Sequence, residues 1–276
     1  MPGVAPTPPF FADAIALLEQ VCTTQAAAIE TASQWSAEAI AADGLVHLFG
    51  TGHSRIPVEE MFPRYGSYPG FNPMVELSMT FHTQVVGSNG QAQAMFIERT
   101  SGLAEVILAN FSFGPKDVMF VFSAGGTTAV PVEIARGARA RGLRVIAVTS
   151  VPQSMSSTID PLVGSRLLDE ADLVIDLCSP PADATVEIPG LEVPVGPVST
   201  IASVAIVNSI KVRTAQLLTK QGKMPPVLTR SNVVGSDRAR DLFEDAYREH
   251  ARRIARAISG HGEGRGQHAQ EVRPSR

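Results

Sequence analysis

Residues 45–62 read Leu45-Val46-His47-Leu48-Phe49-Gly50-Thr51-Gly52-His53-Ser54-Arg55-Ile56-Pro57-Val58-Glu59-Glu60-Met61-Phe62. The first five form an apolar run of strand length, and the glycines behind it mark where a strand stops. From Ser54 onward Ile56, Met61 and Phe62, with acids at Glu59 and Glu60, suit a helix that tolerates Pro57 in its first turn. The turn from Gly50 to Ser54 therefore feeds a helix N-terminus. There its amides and the hydroxyls of Thr51 and Ser54 converge on a place that favours an anion, a phosphate foremost. Two glycines one residue apart let the backbone approach such a ligand, and the same residues also make an ordinary strand-to-helix turn capped by Ser54. Arg55 stands where a dinucleotide fingerprint needs its third glycine, and no Gly-Lys-Ser/Thr follows, which argues against both NAD and ATP.

The pattern recurs along the chain. Val118 to Phe122 is a second buried run and empties into Ser123-Ala124-Gly125-Gly126-Thr127-Thr128, with a helix expected from Ala129 to Arg141. Leu143 to Val148 followed by Thr149-Ser150, and Leu173 to Leu177, read as further strands. Met74 to Leu77 is expected as a short one. Strands separated by helices specify an α/β chain with a parallel sheet covered on both faces, and ligands in such sheets sit at the strands' C-terminal ends. The hydroxyl-bearing loops occur at those ends.

Elsewhere the periodicity gives one long helix or two from Phe11 to Ala42, a helix over Ala92 to Phe111, and a charged amphipathic helix over Asp237 to Ile258. Gly87 to Gly90 reads as a turn, and Pro180 to Pro197 and Val227 to Gly235 as irregular. Ser199-Thr200 caps an apolar segment, Ile201 to Leu218, whose hydrophobicity nearly all round suits burial against the sheet or, the preferred reading, a second subunit. Residues 1–9 are proline-rich and irregular, and 259–276 have the composition of a disordered tail.

The 276 residues carry a net charge of −4, which gives no electrostatic footprint for nucleic acid. No export signal and no segment of membrane-spanning length is visible, so a cytoplasmic location is expected without membrane contact. Cys22 and Cys178 lack metal-type spacing and read as buried small hydrophobes.

Taken together, Phe49-Gly50-Thr51-Gly52-His53-Ser54, Glu59 to Phe62, Asn72-Pro73, His82, Asp117 to Ser123, Ala147 to Ser150, and Val195 to Thr200 with Asn208 resemble the sugar isomerase (SIS) domain. More narrowly they are similar to its bacterial UPF0309 subgroup. The resemblance runs from about Phe11 to Gly235 and implies a three-layer αβα sandwich around a five-stranded parallel sheet. A single domain over 10–258, with helical extensions at both ends, follows from it. So does a homodimer or dimer of dimers that binds a phosphorylated sugar. Family members include phosphoheptose isomerase, an N-acetylmuramic acid 6-phosphate etherase and non-catalytic sensors. The family's second loop usually reads Ser-x-Ser-Gly; here Ser123 matches the first serine, Gly125 replaces the second, and Thr127 or Thr128 supplies the later hydroxyl. Phosphoheptose isomerase and the etherase carry a functional glutamate ten residues after the first-loop serine, where this chain has Arg64. Glu60 lies one helical turn earlier. The isomerase's zinc-binding set is not reproduced, so no metal and no cofactor are expected.

An aldose–ketose isomerase needs a base to move a proton between adjacent carbons and an acid for the oxygens. The candidates are Glu60 and Glu59, then His82 and Glu187, with His53 beside the anion. The expected sugar-phosphate contacts are Gly50, Thr51, Gly52, His53 and Ser54 from the first loop and Ser123, Gly125, Gly126, Thr127 and Thr128 from the second. Thr149, Ser150, Ser199 and Thr200 complete the set. The preferred function is a sugar-phosphate isomerase. An amino-sugar phosphate etherase or lyase and a non-catalytic phosphosugar sensor are the alternatives.

Overall fold

The computed structural model describes residues 8–80 and 90–259. Five parallel strands form one sheet in the order β2-β1-β3-β4-β5: β1 Val46–Gly50, β2 Phe71–Met74, β3 Val118–Phe122, β4 Arg144–Thr149 and β5 Leu173–Asp176. β1 and β3 run side by side in register from Val46 opposite Val118 to Gly50 opposite Phe122, so both strands stop at the same level. The chain turns one way from β1 to β2 and the other way from β3 onward, which makes the β1/β3 boundary the topological switch point, the crevice where open parallel sheets hold ligands.

Successive side chains of a strand point to opposite faces, and the two faces are covered by different helices. Val46, Leu48, Phe71, Phe120, Phe122, Val148 and Ile175 pack with α1 Pro9–Thr24, α2 Ala26–Ala41, α3 Ile56–Met61 and the long helix Ser199–Lys220. Phe49, Met74, Met119, Val121, Val145 and Ala147 face the other way. They pack with Leu103–Leu108 and Ala129–Ala140. In chain order the remaining helices are named α4 Gly90–Ile97, α5 Leu103–Leu108, α6 Ala129–Ala140, α7 Val151–Ser156, α8 Ser199–Lys220 and α9 Ser236–Ser259, with single turns between some of them. The result is the three-layer αβα sandwich around a five-stranded parallel sheet.

Several boundaries differ from the sequence reading. β2 is Phe71–Met74 and not Met74 to Leu77; as an edge strand it accommodates Pro73, whose missing amide faces no neighbour. The helix expected over 92–111 is broken at Thr100 to Gly102, where Gly102 takes the left-handed φ of 85° and Glu133 of α6 accepts from its amide at 2.8 Å. Residues 180–197 contain an antiparallel pair, Ala184–Val186 with Val195–Pro197, and Ser231–Val234 forms one helical turn. Helix α8 buries Ala202, Ile206, Val207, Ile210 and Leu218 within its own chain, while a groove of about 740 Å³ runs along its Lys211 to Lys220 side. Cys22 is exposed and Cys178 half-buried, contrary to the expectation of two buried thiols. Of the irregular segment expected over 1–9, the turn over 87–90 and the disordered tail over 259–276, Pro9 begins α1, Gly90 begins α4 and Ser259 ends α9, while residues 1–7, 87–89 and 260–276 lie outside the described residues.

At the opposite rim of the sheet a buried polar cluster ties β1, β2 and β3 together. Asp117 accepts from the Leu45 amide and the Gly114 amide, each at 2.8 Å, and sits 2.9 Å from His47 Nε2. Asn72 Nδ2 donates to His47 Nδ1 at 2.9 Å, so a neutral imidazole with its proton on Nε2 satisfies every partner. Among the described residues no helix is long and apolar enough to cross a membrane.

Candidate functional site

The loops that follow β1 and β3 line one cavity. Thr51, Gly52, His53 and Ser54 from the first and Ser123 to Thr128 from the second enclose about 260 Å³. A smaller chamber of about 140 Å³ adjoins it, sharing His53, Ser54, Ser123 and Ala124 and closed by Asp183, Ser199, Thr200 and Ser203. The arrangement follows from the sheet: two strands of equal height at the switch point deliver both turns to one side of the crevice.

The first loop is shaped differently from its sequence reading. Gly52 to Arg55 form a 3-10 turn, and the α-helix behind it, α3, has six residues. A short helix of this kind carries little of the macrodipole that the sequence assigned to it. Gly50 is needed by the loop itself, because a Cβ there would lie 2.3 Å from the Ser54 carbonyl oxygen and leaves no room for it. The second loop carries the stronger helix end: α6 has twelve residues, and Thr128 at its start makes no side-chain bond to the helix amides. Gly126 holds the left-handed φ of 59°, and its amide donates to Ser123 Oγ at 3.1 Å, which folds the loop over its own serine. Around Gly125 a Cβ would meet nothing within 4 Å, so the loop borders open space there.

Other candidates fall elsewhere. Thr149 is fully buried and donates to the Ala124 carbonyl at 3.2 Å. Ser150 donates to Ser179 at 2.6 Å and caps α7 by accepting from Gln153 N at 3.2 Å. The Thr149 hydroxyl braces the second loop from behind, the Ser150 hydroxyl is spent beyond β5, and neither lines a chamber. Ser199 and Thr200 do line the smaller chamber. Glu59 is exposed, with Arg55 at 3.6 Å. Glu60 accepts from Asn208 Nδ2 at 2.9 Å and from Arg64, while Lys211 Nζ donates to its carbonyl at 2.9 Å. Burial would raise the Glu60 pKa, but the bonds from Asn208 and Arg64 outweigh it and hold the carboxyl below its ordinary value. A carboxylate held ionised by a cation is a weak base, and Glu60 works as a strut between α3 and α8 outside both chambers. Glu187 is exposed on the antiparallel pair's loop and lines neither chamber, and His82 lies outside the described residues.

The carboxyl that does line the larger chamber is Glu98, at the end of α4. Thr51 Oγ1 donates to Glu98 Oε2 at 2.8 Å, and the Glu98 carbonyl accepts from Val130 N of α6 at 2.9 Å. Burial raises its pKa above the ordinary carboxylate value despite the opposing effects of the Thr51 bond and Arg99. Nothing in the sequence around Glu98 marked it; the break at Gly102, which ends α4 beside the β1 loop, was the missing signal. Among the described residues no cluster of His, Cys, Asp and Glu is arranged to hold a metal ion.

A family model described as the SIS domain matches residues 9–150, the part of the chain that carries β1 to β4 and both cavity loops. The chain belongs to the SIS-domain family. The UPF0309 protein of Listeria monocytogenes serotype 4b is 32% identical over 85% of this chain and 93% of its own length. A UPF0309 protein of Brucella abortus is 36% identical over 87% of this chain and 96% of its own. Among solved structures, a phosphoheptose isomerase from Francisella tularensis is 14% identical, covers 75% of this chain and 95% of that chain, and superposes with a TM-score of 0.47. In this SIS domain, then, hydroxyls of both loops and the carboxyl of Glu98 line the cavity between the β1 and β3 loops.

Proposed function

We propose that this SIS domain binds a phosphorylated sugar between its β1 and β3 loops and interconverts its aldose and ketose forms. The observation that carries the reading is the position of Glu98, a half-buried carboxyl of raised pKa on the wall of the same cavity that the hydroxyl loops line. The phosphate lies against the second loop, where the amides of Gly125, Thr127 and Thr128 supply donors and α6 a favourable dipole, with Ser54 and Ser123 alongside. The carbons of the open-chain sugar then extend along the Glu98 wall.

Isomerisation removes the C2 proton of the aldose and returns a proton to C1, while a proton passes from the C2 hydroxyl to the C1 oxygen. A carboxylate whose pKa has moved toward neutrality is a better base for the carbon proton than an ordinary one. Thr51 fixes the Glu98 side chain in place for that transfer. His53 lies at the seam of the two chambers and supplies the proton donor for the sugar oxygens. The homodimer or dimer of dimers implied by the family is read by light scattering, with the groove beside α8 as the surface available to a second copy.

Incubation with hexose, heptose and amino-sugar 6-phosphates in deuterated water tests the reaction. Deuterium entering at C2 together with appearance of the ketose supports the isomerase. Binding without exchange supports a sensor, and release of lactate from a muramic acid phosphate supports the etherase. Ser54→Ala and Ser123→Ala are each expected to weaken sugar-phosphate binding by about 1–3 kcal/mol, the effect of losing a bond to a charged group. Titration calorimetry measures this, and unchanged affinity in both variants would remove the phosphate from these loops.

A further inference from the structure

The smaller chamber contains a carboxylate that the proposed reaction does not use. Asp183 sits in the left-handed region at φ 62° and places its side chain at the N-terminus of the twenty-two-residue helix α8. Its Oδ1 accepts from the Ser199 amide at 2.9 Å and the Val198 amide at 3.3 Å, and its Oδ2 accepts from Ser199 Oγ at 2.7 Å. The Val198 and Ser199 amides and the Ser199 hydroxyl at this helix end are therefore already engaged by a negative charge built into the chain. On the far side of the cavity stands Glu98. Among the described residues no lysine or arginine lines either chamber.

The double cavity thus has one place for an anion, the second loop at the start of α6, flanked on both sides by carboxyl groups. Resting on the sugar-phosphate reading of the site, we propose that Asp183 makes it selective for sugars with a single phosphate, excluding bisphosphates by placing a like charge at the helix end that lines the smaller chamber. The smaller chamber takes an uncharged, hydroxyl-bearing part of the sugar instead. Its hydroxyls at Ser199, Thr200 and Ser203 and the free lone pairs of Asp183 suit that role. The family model ends at residue 150, short of Asp183 and α8.

Asp183→Asn tests this. Asparagine accepts from the same amides, tolerates the left-handed backbone and keeps the volume, while removing the charge. Titration calorimetry with fructose 6-phosphate and fructose 1,6-bisphosphate gives the ratio of affinities. The native protein is expected to favour the monophosphate, and Asp183→Asn to shift the ratio about ten- to hundredfold toward the bisphosphate, since it removes the like charge that a second phosphate meets. Circular dichroism should show α8 intact, and Ser123→Ala should weaken both ligands alike. Equal native affinity for the two sugars, or a ratio that survives Asp183→Asn, overturns the selectivity while leaving the phosphosugar reading in place. Failure of the native protein to bind any sugar phosphate overturns both.

Discussion

Glu98→Gln is expected to lower turnover of the cognate sugar phosphate by about 10²–10⁴-fold, the usual contribution of a positioned general base. Glutamine keeps the size of the side chain and can still accept from Thr51 Oγ1, so the cavity wall and the 2.8 Å bond survive the change. Binding should be preserved, and removing a potential negative charge beside a dianion should if anything strengthen it. The effect therefore appears in kcat and in C2 proton exchange, not in affinity. Its pH dependence is the more specific signature. Burial raises the Glu98 pKa above its ordinary 4.5, so the base form is lost at a higher pH than for an exposed glutamate. The acid limb of the native kcat profile should lie above 4.5, and the residual activity of Glu98→Gln should lack that limb. Thr51→Val, which removes the donor that lowers the pKa, should move the limb further upward. Normal turnover in Glu98→Gln would transfer the base to another residue.

The carboxyl with this role and the carboxyls that the sequence suggested differ in an instructive way. Glu59 and Glu60 attracted attention because they follow the first loop within one helical turn, and proximity in sequence is what a pattern reading can see. Glu98 reaches the same loop from 47 residues away, through a contact with Thr51 that exists only after the strands have assembled. The environment then separates the two groups: Arg64 and Asn208 hold Glu60 ionised, and burial pushes Glu98 toward its neutral form. Environment, and not nearness to the loop in sequence, decides which carboxyl is a structural anion and which is suited to titrate.

The same distinction between local and long-range information separates what was legible from what was not. β1 and β3 were visible because each is a run of five fully buried residues ending in glycine or serine, and their adjacency follows once the sheet is parallel. β2 was displaced because Pro73 argues against a strand in general, and only its place at the sheet edge makes proline harmless there. Thr149 and Ser150 have the composition of ligand-binding residues at a strand end. Their hydroxyls are spent on the Ala124 and Ser179 carbonyls, a destination set by tertiary packing. Gly50 stands out in the sequence as a glycine that lets the backbone approach a ligand, and the structure adds a demand of the loop's own, since a Cβ there would meet the Ser54 carbonyl. Asp183 carried no periodic signal at all, because the helix it caps begins sixteen residues later, beyond an antiparallel pair.

The second large effect is expected in stability and comes from the rim opposite the cavity. Asp117→Asn should destabilise the protein by about 2–4 kcal/mol, since it replaces an acceptor of three donors by a group with two donors of its own. In the native structure the Leu45 and Gly114 amides and His47 Nε2 all point at the carboxylate. Wherever the asparagine places its amide nitrogen, it faces one of these N–H groups. His47 cannot relieve the conflict by shifting its proton, because Asn72 Nδ2 already donates to Nδ1 and Phe113 packs edge-on against the ring at 4.9 Å. A melting temperature lower by about 5–15 °C is the corresponding readout for a domain of this size. The pH dependence fixes the cause. Burial alone would raise the Asp117 pKa, but the bonds from His47, Leu45 and Gly114 outweigh it and hold the carboxyl below 3.8. A depressed folded-state pKa means that the carboxylate's contribution is complete above the unfolded value of 3.8 and is lost as pH falls below it. The stability gap between native protein and Asp117→Asn should therefore be constant near neutrality and narrow in denaturant titrations on the acid side of 3.8. A gap that stayed the same across that range would show that the cluster acts through shape alone. If there were no gap at neutral pH, the three strands would be held together without it.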